Sequence, residues 1–236
     1  MKSMVRIPLH ADARQFQRLL ELQQAFARAC NALAPVVKET RTWNRVALHH
    51  LAYRKLREAF PDIGSQMACN AIYSVSRAAR LVFQSTGSPF HHTLLAGKPL
   101  PLLQFLDTAP VYFDRHTLSL KQGQASMYTL DGRMKFQLAL QAEQEAAFHR
   151  RKLLEAALIR RGDQFELQFS FGVDVAATPV KRDAGRVASA GPFPVPVSLS
   201  QSTSPEPEPG LVPGLEPLPI PNGALLPPYL NVEVPA

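Results

Sequence analysis

The chain has 236 residues, of which 46% are hydrophobic, enough to bury a core in one sizeable domain or two small ones and too many for a wholly disordered chain. Its 26 Lys and Arg against 19 Asp and Glu give a formal net charge of +7 at neutral pH. No continuous apolar run reaches bilayer length, and the opening MKSMVRIPLHADARQF lacks the apolar stretch and cleavage site of a secretory signal, so a cytoplasmic protein with no membrane partner is expected.

Asp12, with Gln15 three residues on, reads as a capping box that opens a helix. Phe16, Leu19, Leu20, Phe26, Cys30 and Leu33 recur along it at helical spacing, and Pro35 is expected to end it. A second helix follows Asn44 in RVALHHLAYRKLREAF, with Leu48, Leu51, Leu56 and Phe60 on one flank and Arg45, Arg54, Lys55 and Arg57 on another; Pro61 stops it. Ser65 is expected to cap a third helix, QMACNAIYSVSRAARLVF, whose Met67, Ala71, Val75, Ala78 and Val82 face inward, and Gly87-Ser88-Pro89 closes it. Cys30 and Cys69 both fall in apolar helical patterns, which makes them core thiols in a reducing compartment.

A β half begins at VYFDRHTLSL and continues through QASMYTL, the turn Asp131-Gly132, and RMKFQL; Asp-Gly between alternating segments is a strong hairpin signal. QAEQEAAFHRRKLLEA reads as a short helix, after which ALIRR and QFELQFSFGVDV flank the turn Arg161-Gly162-Asp163. Three helices placed early and followed by a small curled sheet give an α+β fold, a β-barrel with a helical excursion. The last strand ends in GVDVA, and a strand-terminal aspartate among small residues is how one class of metal-dependent nucleases presents a catalytic carboxylate. Beyond Arg186 there is no Lys or Arg, and Glu206, Glu208, Glu216 and Glu233 carry the only charge. The first 186 residues therefore hold 26 basic and 15 acidic residues, a net +11 that points to a polyanionic partner, most often nucleic acid. The remainder, AGPFPVPVSLSQSTSPEPEPGLVPGLEPLPIPNGALLPPYLNVEVPA, is expected to be a disordered tail, because proline removes backbone donors and fixes φ. Within it, PLPIP or PEPEP could act as a proline-helix ligand, and Leu215, Leu218, Leu225, Leu226 and Tyr229 are the side chains able to dock.

The order of segments carries a resemblance. A helix ending in ACNAL leads to WNRVALHHLAYRKLREAFPDIGSQMACNAIYSVSRAAR, then FDRHTLSL, TLDGRMKFQL and LIRRGDQFELQFSF. Over residues 4–178 this resembles the N-terminal half of the OrfB/TnpB insertion-sequence proteins, RNA-guided DNA nucleases often labelled transposases and related to the type V CRISPR effectors. The resemblance implies a small wedge-type β-barrel interrupted by a three-helix recognition lobe: a first wedge strand at 1–10, the lobe at 11–108, the rest of the wedge at 109–178, and the Pro-rich tail at 179–236. In that family the wedge closes with a strand like FELQFSF, and a Pro-containing linker precedes the Gly-Val-Asp-Leu-Gly motif of the RuvC nuclease domain. Here GVDVA follows the strand directly and AATPVKRD comes after it, so the register makes Asp174 a non-catalytic strand end. Two-metal hydrolysis needs several converging carboxylates, and after Asp174 only Asp183 and four tail glutamates remain. The expected protein is therefore no enzyme by itself: the nuclease half is missing.

By position, the family's duplex-reading residues fall on Trp43, Asn44, Ser65, Gln66, Cys69 and Asn70, with Arg45 beside them. Arg54, Arg57, Arg77 and Arg80 would hold the nucleic-acid backbone, and Arg115, Lys121, Arg133 and Lys135 form a second basic group suited to RNA. Adjacent histidines on a helix diverge, so His49-His50 and likewise His91-His92, with no cysteine or carboxylate at ligand spacing, give no metal site; no phosphate loop or dinucleotide fingerprint implies a cofactor. The leading expectation is a nuclease-less protein that binds duplex DNA, guide RNA or both. Two others stand beside it: the recognition half of a split RNA-guided endonuclease completed by a separate chain, and a protein-interaction scaffold acting through the Pro-rich tail.

Overall fold

A computed structural model describes residues 3–174 and 226–234. The expectations for the Pro-rich stretch at 179–225, including PEPEP, PLPIP, Asp183, Glu206, Glu208, Glu216, Leu215, Leu218 and Leu225, lie outside the described residues. The fold is mixed α+β, with the helices concentrated toward the N-terminus and the strands after them.

Strand β1 (Ser3–Pro8) leads into α1 (Ala13–Thr40), whose capping box is as read: the Asp12 carboxylate accepts from the Gln15 N–H at 2.8 Å and the Gln15 side chain accepts from the Asp12 N–H at 3.0 Å. Pro35 does not end this helix, which runs on to Thr40. A proline in mid-helix costs about 3 kcal/mol, but Leu33, Ala34 and Val37 on either side of it are buried in the core while Pro35 itself faces solvent. Burial of the flanking residues offsets the lost bond. Helix α2 (Arg45–Ala59) starts at Asn44, whose side chain accepts from the Val46 and Ala47 N–H groups at 2.9 and 3.2 Å. Helix α3 (Ser65–Gln84) has Gly64 at its N-cap, so Ser65 is the first helical residue and not the cap. All five of its expected inward residues are buried.

Seven more strands complete the body with a short helix: β2 (Leu102–Phe105), β3 (Val111–Phe113), β4 (Leu118–Lys121), β5 (Gln124–Thr129), β6 (Gly132–Gln137), α4 (Ala142–Arg150), β7 (Arg151–Arg161) and β8 (Gln164–Asp174). Helix α4 stops at Arg150, not at the expected Ala156, because Arg151 turns extended and the next residues pair with β8. The segment RKLLEAALIRR suits either state by composition, and the ladder decides it. Asp174 closes β8, opposite Arg151 in the register. The hairpin turns at Asp131-Gly132 and Arg161-Gly162-Asp163 form as read, with Gly132 and Gly162 at φ of 110° and 58°.

Among the described residues the strands form three antiparallel sheets and not a closed barrel: β1-β8-β7-β3, β4-β5-β6, and β2 with β9 (Leu230–Glu233). The edges β1 and β3 are not joined by a ladder, and β2, which precedes β3 in the chain, pairs with β9 instead. Strand β9 also corrects the expectation of disorder for residues 226–234. Prolines 227 and 228 lie before the strand, so Leu230, Asn231, Val232 and Glu233 keep their N–H groups for pairing. One hydrophobic core runs through helices and sheets together, built on Phe26, Phe83, Phe165, Phe169 and Phe171. No helix among the described residues is long and apolar enough to cross a membrane.

Candidate nucleic-acid interface

The meander β4-β5-β6 is two-faced by simple alternation. Leu118, Ala125, Met127, Met134 and Phe136 point into the core. On the other side stand Ser119 and Lys121 from β4, Gln124, Ser126 and Tyr128 from β5, and Arg133, Lys135 and Gln137 from β6. The register aligns them in rows across the strands: Lys121–Gln124–Gln137, Ser119–Ser126–Lys135, and Tyr128–Arg133. From strand spacing and rise, this strip measures roughly 10 by 14 Å. None of the eight positions is Asp or Glu.

Arg133 lies flat across the strip. Its guanidinium sits 4.5 Å from the Tyr128 ring centroid and donates to Ser126 Oγ at 3.0 Å, Ser126 O at 2.6 Å and Ser119 Oγ at 3.2 Å. These bonds fix the cation in the middle of the face and hold the Tyr128 ring, which remains 43% exposed. Lys121 and Lys135 are exposed and have no ion-pair partner among the described residues. The turn leading into β4 is rigid: the Asp114 carboxylate accepts from the Thr117 N–H and hydroxyl at 3.0 and 2.8 Å, which leaves Arg115 and His116 at the surface beside Arg133. All four residues of the second basic group thus come to one region. At the hairpin tip Arg18 donates to Asp131 at 2.8 Å and holds that carboxyl below its usual range, so the nearby acid is neutralised by a partner from α1.

The other sequence-selected residues are spread out and mostly engaged. Trp43 is half-buried against Phe83 and His92, with ring centroids 5.6 and 6.0 Å apart, and its carbonyl accepts from the Ser76 hydroxyl at 2.6 Å. Asn44 caps α2, Ser65 is exposed, and Gln66 donates to Asp114. Asn70 is buried, donating to Thr117 Oγ1 at 3.2 Å, and Cys69 is half-buried. Arg45 stacks 5.4 Å from the Tyr73 ring, Arg54 pairs with Glu58 at 3.0 Å, and Arg57 donates to the Ile63 carbonyl. Arg80 is exposed.

Arg77 belongs to a polar cluster that sequence reasoning missed. It pairs with Glu155 at 3.1 Å and lies 5.5 Å from the Tyr112 ring. Tyr73 donates its hydroxyl to Glu155 at 2.7 Å, and the half-buried Tyr229 phenol interacts electrostatically with Arg77 and Tyr112. Burial pushes all three phenols above the usual tyrosine range, with Glu155 adding to the rise. The only local sign was the tyrosine–arginine spacing on α3; the partners come from β3, β7 and the C-terminal segment. Cys30 is fully buried, and burial pushes its thiol up to about 12, which makes it inert. Among the described residues no three His, Cys, Asp or Glu side chains gather as metal ligands would, and His49 instead stacks on Tyr53. No family model matches the chain, and no curated protein matches it.

Proposed function

We propose that the chain binds nucleic acid through the outer face of β4-β5-β6 and carries no nuclease chemistry of its own, as its resemblance to the recognition half of OrfB/TnpB proteins implies. The observation that carries this reading is the acid-free strip in which Arg133, Lys121 and Lys135 surround the half-exposed Tyr128. Lysines meet phosphates, the ring offers a surface for a base, and serine and glutamine side chains supply donors and acceptors between them. The resemblance assigns duplex reading to the Trp43–Asn70 region, and on this reading Asn44, Arg45 and Ser65, all exposed, are its accessible part, with the exposed Arg80 left to hold backbone. In the family's terms β1 and β3–β8 belong to the wedge, and α1–α3 with β2 to the recognition lobe.

The test is fluorescence anisotropy of the full chain with a labelled single-stranded RNA and a labelled DNA duplex at several salt concentrations. The RNA should bind, and the double variant Lys121→Ala/Lys135→Ala should weaken it at least ten-fold at low salt. Because each lost phosphate contact removes about 0.7 from the slope of log K against log salt for a single strand, the slope should fall by about 1.4. Absence of binding to both nucleic acids at low salt would end this reading.

A second reading, the recognition half of a split endonuclease completed by another chain, draws on Met4, Leu153 and Leu154. These apolar side chains are 42–46% exposed toward the end of the four-stranded sheet where β8 finishes. Co-purification of a separate nuclease-domain chain, lost on Leu153→Lys/Leu154→Lys, is its test.

A further inference from the structure

Arg133 stands in the middle of the β4-β5-β6 face with most of its donors committed to the protein itself. Nε donates to Ser126 Oγ at 3.0 Å, Nη1 to the His116 carbonyl at 3.3 Å, and Nη2 to Ser119 Oγ at 3.2 Å and the Ser126 carbonyl at 2.6 Å. A guanidinium has five N–H groups, and these bonds take four of them. A phosphate arriving from solvent finds little left to bind. The bonds instead fix the guanidinium 4.5 Å from the Tyr128 ring centroid. A cation held against one face of the ring attracts it and keeps it in one orientation, so the side chain is ordered before any ligand arrives. Tyr128 is still 43% exposed, which leaves the side away from Arg133 to a ligand.

Cations lie to either side of this ring. On one side the Tyr128 N–H donates to the Thr117 carbonyl at 2.8 Å, which seats the Tyr128–Arg133 row against the turn that carries the exposed Arg115 and His116. On the other side Lys135 lies one row along the face and Lys121 two rows. The order cation, ring, cation fits one strand of nucleic acid, with a phosphate to each side and the base between them turned onto the ring. A duplex cannot use the ring, because its bases are paired and stacked on one another, so it would meet the cations alone.

We propose that the β4-β5-β6 face selects single-stranded nucleic acid over duplex by stacking one unpaired base on Tyr128, and that Arg133 is the positioning residue that holds the ring and not a phosphate contact. This selection rests on the nucleic-acid reading of the face and adds the strand state that it takes and the side chain that decides it. Lys135, Lys121 and Arg115 meet the phosphates, and Ser119 and Ser126 support Arg133.

The experiment measures the anisotropy of one labelled RNA, alone and annealed to its complement, with the full chain and its variants. The single strand should bind at least ten-fold more tightly than the duplex. Tyr128→Ala should weaken single-strand binding about ten-fold, the order of one base–aromatic stack, and Tyr128→Phe, which keeps the ring, should restore it. Since neither residue contacts phosphate, Tyr128→Ala and Arg133→Gln should both keep the wild-type slope of log K against log salt. Arg133→Gln should still weaken binding several-fold, and its loss should not add to that of Tyr128→Ala in the double variant. A slope lowered by about 0.7 in Arg133→Gln makes Arg133 a phosphate contact and overturns its positioning role. Equal binding of single strand and duplex, weakened by Lys121→Ala/Lys135→Ala but not by Tyr128→Ala, overturns the stack while the face remains a nucleic-acid binder. Failure of both RNA forms to bind at low salt overturns the selection together with the reading beneath it.

Discussion

Asn31 shows how one side chain can set the position of a strand. It sits on α1, yet its amide replaces a strand neighbour for Phe105, satisfying a main-chain donor and acceptor that would otherwise be unpaired. Replacing Asn31 with Ala improves helix propensity, so helix formation alone predicts a gain. The two orphaned groups predict the opposite, a loss of about 2 kcal/mol, since each unsatisfied group costs on the order of 1–3 kcal/mol and Asn31 is only half-buried. Urea melts decide between them, and a neutral or stabilising result would show that water replaces the amide. Nothing in the sequence singled out Asn31, because its partner is 74 residues away. Asp12 and Asn44 were legible for the converse reason: each caps the helix that begins beside it.

At the scale of elements, the local signals that held were those whose physics is complete within a few residues. The Asp131-Gly132 turn needs only a residue tolerant of positive φ between two alternating segments. Pro35 failed as a stop signal because the cost of its missing N–H is weighed against burial of residues on both sides. That cost remains in the folded chain, so Pro35→Ala should restore a donor for the Asn31 carbonyl one turn back and stabilise the protein by about 1 kcal/mol or more. For a chain of this size a thermal melt should then shift upward by roughly 2–4 °C per kcal/mol. A lower midpoint would mean that α1 depends on the proline's geometry. Strands β2 and β9 were illegible for a related reason. Each is four residues long, and each is a strand only because the other lies beside it.

Across the whole molecule, the cluster of Tyr73, Tyr112, Tyr229, Arg77 and Glu155 joins α3, two strands of the main sheet and the C-terminal segment. Its tyrosines are held above their usual range, chiefly by burial. A raised phenol contributes stability that is fully present below the unfolded-state value of about 10 and lost as pH rises through the folded values. The protein should therefore lose stability steeply above about pH 10. Tyr73→Phe removes one such group and its bond to Glu155: stability at pH 7 should fall by about 1 kcal/mol, and the alkaline loss should become shallower. Urea melts between pH 7 and 11 check both, and identical alkaline slopes for the two proteins would exclude Tyr73 from the effect.

The sequence by itself determined the class of fold, the helix starts at Asp12 and Asn44, the two hairpin turns and the basic residues Lys121, Arg133 and Lys135 of β4 and β6, because period-two alternation and capping act over short distances. Tertiary structure alone decided that Arg77 turns inward to Glu155, that α1 continues past Pro35, that the strands stand as three sheets, and that residues 226–234 return as a strand. Each of these depends on a partner tens of residues or more away, whose position is fixed only when the core closes.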